Sequence, residues 1–64
     1  MNDEHVDIIE QASIDIDKHR ADKEIYGDSL TALYIENIIS AAKFALSRMG
    51  LNDEQINKVN WEDL

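Results

Sequence analysis

Apolar residues recur along this chain in three blocks, each with the spacing of a helix. In the first, Val6, Ile8, Ile9, Ala12 and Ile16 fall on one side of a helical wheel and predict an amphipathic helix over about 3–26. The run Ser13-Ile14-Asp15-Ile16-Asp17 alternates like a strand, but it is brief and has no strand partner elsewhere, so helix is the better reading. Ile14 then points away from the main stripe.

The second block, over about 29–49, has little contrast around its circumference. Only Glu36, Ser40, Lys43 and Ser47 make a polar stripe. The opposite arc carries Leu30, Tyr34, Ile35, Ile38, Ile39, Ala41, Ala42, Ala45, Leu46 and Met49, widened by Leu33 and Phe44. A helix apolar nearly all round sits at the centre of something larger. The third block is short, over about 53–61, and carries Ile56 and Val59 with Trp61 and Leu64 close by.

Punctuation between the blocks is sparse. There is no proline, and glycine occurs only at Gly27 and Gly50. Gly27 reads as the residue closing the first helix, with Asp28 or Ser29 capping the second. At Gly50 the signals are denser. With Met49 as C-cap, Leu46 and Leu51 form the apolar pair of a Schellman turn, Asn52 and Gln55 a capping box, and Leu51 and Ile56 a hydrophobic staple. The expected fold is therefore all-α: a helical hairpin of two long helices plus a short C-terminal helix, in a single domain over 1–64, paired into a dimeric helical bundle.

Size makes the pairing more than a preference. Sixty-four residues bury only about 60% of the surface their unfolded chain exposes. Their core supplies no more than about 3–5 kcal/mol without a staple. With no cysteine, disulfides and thiolate zinc sites are excluded, leaving oligomerisation. Part of the second helix can be covered by Val6, Ile9 and Ile16, and part by Ile56 and Val59. The remainder defines an expected homodimer face of Tyr34, Ile38, Ala41, Ala42, Ala45 and Met49, where small side chains let a neighbouring helix approach closely. Asn37, at the edge of the arc, suits a polar residue that sets helix register in an oligomer.

Charge then narrows the choice of partner. The formal net charge is −8, and residues 1–30 hold nine acids against Lys18, Arg20 and Lys23. Direct binding to nucleic acid or an anionic membrane is disfavoured, because both need basic patches. Glu36, Asn37, Lys43 and Arg48 interrupt the longest apolar run, so no membrane span is expected, and the N-terminus lacks the pattern of a signal peptide. The expected location is the cytoplasm. Asp3, Asp7, Glu10, Asp17 and Glu24 share one side of the first helix at intervals of one or two turns, resembling a row of phosphates in spacing and sign.

Candidate chemistry is thin. Two isolated glycines build no phosphate loop, and the serines have no neighbouring histidine to activate them. The acidic stretches starting at Asp15 and at Asn52 are no EF-hand loops, since neither has a Gly at position six or a Glu at position twelve. His5 and His19 are fourteen residues apart, about 21 Å along one helix, so a single chain cannot place both on one ion. No catalytic residue, cofactor or metal is expected. The sequence reads as a small acidic protein-binding regulator or inhibitor, the kind of accessory factor a phage or mobile element encodes. In its sharper form it mimics nucleic-acid charge to block a host or defence protein with an electropositive surface. Tyr26 and Trp61 are the candidate aromatic anchors. The alternative is a structural or assembly subunit docking through its apolar second helix. A helix-turn-helix built on the Gly50 turn fits poorly, since Asp53, Glu54, Glu62 and Asp63 face one Lys58.

Overall fold

The computed structural model describes residues 3–64, and every regular element among them is helical. Helix α1 spans Asp3–Ala21, α2 Lys23–Tyr26, α3 Asp28–Arg48 and α4 Asp53–Asn57, followed by a 3₁₀ turn over Trp61–Asp63. Acids in the first turn of α1 (Asp3, Glu4) and bases in its last (Lys18, His19, Arg20) both complement the helix dipole. The molecule measures 37 × 18 × 17 Å. Its long dimension follows α3, whose 21 residues extend about 31 Å.

The first helix stops before the position its sequence suggests. Rather than continuing over 3–26, it ends at Ala21, Asp22 adopts φ −92° and ψ 10°, and a separate single turn, α2, follows. The reason is packing. After Ile16, α1 has no large apolar residue to bury, and α2 buries none of its own. In the last turn the His19 ring Nδ1 hydrogen-bonds the Asp15 carbonyl at 2.8 Å. Gly27, at φ +80°, closes α2 by donating its N–H to the Lys23 carbonyl. Helix α3 then begins directly at Asp28. Neither Asp28 nor Ser29 caps it: the cap residue is Gly27, with no side-chain hydrogen bond.

Helix α3 packs against α1 along much of its length. His19 meets Tyr34 near the α2 end, ring centroids 5.0 Å apart, and Ala12 lies with Ala42 further along. Two small residues at that crossing let the helices approach closely. The core gathers Ala12, Ala42, Leu46, Leu51, Ile56 and Trp61, flanked by Ile8, Ile9, Ile38, Ile39, Val59 and Leu64. Val6 is not among them and stands 39% exposed. The joint at Gly50 has the expected geometry. Leu51 N–H reaches the Leu46 carbonyl at 3.2 Å, Gly50 N–H reaches Ser47, and Gly50 sits at φ +98°. Both bonds of the Asn52–Gln55 capping box are present, at 2.9 and 3.0 Å.

From there the C-terminal segment folds back over one side of the α1–α3 pair. The short helix ends at Asn57 rather than near 61, and the chain turns so that the Trp61 ring enters the core. Its Nε1–H donates to the Ile56 carbonyl at 3.0 Å, and Lys43 Nζ lies 5.8 Å from the ring centroid. Arg20 Nη1 donates to the Leu64 carbonyl oxygen at 2.5 Å, holding the end of the segment against α1. One side of the helix pair is thus roofed and the other is open.

Candidate interaction surfaces

Three surfaces follow from this arrangement. The first is the outward side of α1. Asp3, Asp7, Glu10 and Asp17 are all exposed there, because the opposite side of the helix is held in the core by Ala12 and Ile16. Among the described residues, Asp17 is the only one of the four with an ion partner, Arg20 at 3.9 Å. Ile14, 59% exposed, lies among them and makes the acidic face amphipathic in miniature. Glu24 is also exposed, but it belongs to α2, and the turn at Asp22 breaks the helical phase that lines it up with Asp17. The stripe therefore runs from Asp3 to Asp17, about 21 Å along the helix.

The second surface is the unroofed groove between α1 and α3. It is an open cleft of about 290 Å³, lined by Ile8, Gln11, Ala12 and Asp15 on one wall and Ile38, Ala41 and Ala42 on the other. This divides the residues expected to mediate self-association. Ala42 is already largely buried within the molecule, in the same cluster as Ala12. Tyr34, Ile38, Ala45 and Met49 are half-buried, while Ala41 is open. Tyr34 is further engaged by His19 and, edge-on at 5.6 Å, by Tyr26. The outward face of α3 carries more open apolar area: Leu30, Leu33 and Phe44 are all exposed. These three were visible in the sequence as part of the wide apolar arc. Which part of that arc α1 and the C-terminal segment cover was not.

The third is a shallow cavity of about 410 Å³ beside the α2 turn, lined by Arg20, Lys23, Asp28, Thr31, Ala32 and Ile35. Its two cations are already engaged, Lys23 with Asp28 at 3.1 Å and Arg20 with Asp17 and the Leu64 carbonyl. Thr31 Oγ1 is buried there without a hydrogen-bond partner.

The two aromatic candidates separate. Trp61 is buried with its indole N–H satisfied, so it is a core residue and not an anchor. Tyr26 remains open at the turn, its ring edge against Tyr34. Among the described residues no three His, Cys, Asp or Glu side chains gather to hold a metal ion, and no helix is long and apolar enough to cross a membrane. No protein-family model matches this sequence, and neither curated proteins nor solved structures supply a match.

Proposed function

We propose that this chain is a small acidic regulator or inhibitor that binds another protein through the outward face of α1, and that it works as a homodimeric bundle of helical hairpins. The observation that carries the reading is the set of exposed carboxylates Asp3, Asp7, Glu10 and Asp17 around the exposed Ile14. Carboxylates at this spacing complement a surface built to hold phosphates, and the isoleucine adds an apolar contact that phosphate lacks. Charge steers the encounter, and burial of Ile14 slows release. The sharper form is mimicry of nucleic-acid charge against a host or defence protein, as expected of a phage- or mobile-element-encoded accessory factor acting in the cytoplasm. The absence of cysteine suits a reducing compartment.

A pull-down with the tagged chain, from cells that encode it, tests the proposal at stepped salt. Capture that weakens steeply with salt, falls in the triple variant Asp7→Asn, Glu10→Gln, Asp17→Asn, and is competed by duplex DNA supports it. The single variant Ile14→Ala weakens capture at every salt concentration. Capture indifferent to salt and to these substitutions overturns it in favour of a second reading, an assembly subunit docking through α3. That reading is favoured by the exposed Leu30, Leu33 and Phe44.

A further inference from the structure

The exposed apolar residues of α3 are symmetric about one position. Leu30 and Phe44 lie seven residues either side of Asn37, and Leu33 and Ala41 lie four either side. Intervals of three and four keep all five on one helical face. Leu30, Leu33, Asn37 and Phe44 look away from α1, since the buried residues Thr31, Ala42 and Leu46 occupy the other side of α3, while Ala41 sits at the edge of the face and also lines the α1–α3 groove. Leu33 is 50% and Phe44 64% exposed, and Asn37 and Ala41 are open as well. We infer that a second copy of this chain packs antiparallel on the outward face of α3, with Asn37 at the two-fold axis. The inference rests on the homodimer reading above and names its seam.

A two-fold interface needs a patch complementary to itself, with each residue i meeting j and j meeting i. Rotation about Asn37 sets Leu30 against the Phe44 of the second copy and Leu33 against its Ala41, a large residue beside a small one. Asn37 meets its own copy, and a side-chain amide carries both donor and acceptor, so the pair satisfies itself. A polar residue at the centre of an apolar seam costs some stability but penalises other registers.

Charge selects the direction. Along α3, Asp28 and Glu36 occupy the first half and Lys43 and Arg48 the second. Parallel pairing would set Arg48 against its own copy, whereas antiparallel pairing carries it toward the acidic start of the other α3. The helix dipoles oppose each other in the same arrangement. The Arg48 guanidinium already lies over the Phe44 ring, 5.7 Å from its centroid, on the line the seam follows. The molecule exposes 4646 Å² in all, and a small dimer needs about 600 Å² from each partner. The outward face of the longest helix is the apolar surface of suitable length. Pairing through the α1–α3 groove is less favourable, because one of its walls belongs to α1 and brings Asp15 and the acidic helix of each copy together.

The native chain contains no cysteine, so one introduced thiol reports on a single position. Asn37→Cys at the axis places the two thiols within disulfide reach, and Ser47→Cys, exposed on a different side of α3, does not. Under mild oxidation Asn37→Cys should form a covalent dimer at least about tenfold faster than Ser47→Cys, through the raised effective concentration at the seam. Leu33→Glu should shift the native chain from dimer to monomer in sedimentation while its helical circular dichroism persists. A dimer in which Asn37→Cys cross-links no faster than Ser47→Cys overturns this seam and leaves the homodimer standing. A folded monomer at micromolar concentration overturns both.

Discussion

Thr31 is buried to 5% exposure with an unpartnered hydroxyl, on the face of α3 where every other closed position is apolar. Desolvating a hydroxyl without a hydrogen bond costs about 1–3 kcal/mol. Valine has the same shape without the polar atom. Thr31→Val should therefore raise the unfolding free energy by about 1 kcal/mol, read from the urea midpoint. Thr31→Ser, which keeps the hydroxyl and loses a methyl, should lower it. Trp61 shows the opposite situation: its one polar atom is satisfied by the Ile56 carbonyl, so an aromatic ring can be buried at the end of the chain at little cost. Residue type alone did not separate these cases. Both depend on which carbonyl the fold brings within reach.

The joint around Gly50 was legible in the sequence, whereas the end of α1 was not. Schellman turns, capping boxes and staples are local. Their partners lie within five residues, so Leu46, Gly50, Leu51, Asn52, Gln55 and Ile56 carry the whole instruction. Asn52→Ala removes the acceptor for Gln55 N–H and should cost about 1 kcal/mol by equilibrium unfolding. Against a core worth about 3–5 kcal/mol, that loss is large. The break at Asp22 has no comparable signal, because residues 17–26 contain nothing that forbids a helix. It falls where no large apolar side chain is left to anchor the helix: nothing after Ile16 in α1 is buried, and α2 touches α3 through Tyr26 without burying a residue. Likewise, Asp28 and Ser29 are good capping residues in isolation, but the chain enters α3 from Gly27 without using either.

At the scale of the whole molecule, the net charge of −8 is spread over a body only 18 Å across. Like charges at this density repel within the compact state, and salt relieves them over about 10 Å at 0.1 M. The urea midpoint should therefore rise between low and near-physiological sodium chloride, opposite to the response of a protein held by surface ion pairs. A midpoint that falls with salt would show that Lys23–Asp28 and Arg20–Asp17 outweigh the repulsion.

The sequence by itself determined what depends on period and on near neighbours. It specified helices throughout, the capped joint at Gly50, the acidic outward side of α1 and an excess of apolar surface on α3. Only the tertiary structure decided how that excess is divided. Ala42 and Leu46 are closed by the molecule itself, Trp61 enters the core, and Val6 is left out of it. Leu30, Leu33 and Phe44 stay open on the outward face. The physical reason is that a helix apolar nearly all round has no preferred inside. Its inside is set by which neighbours pack on it, and those lie far along the chain.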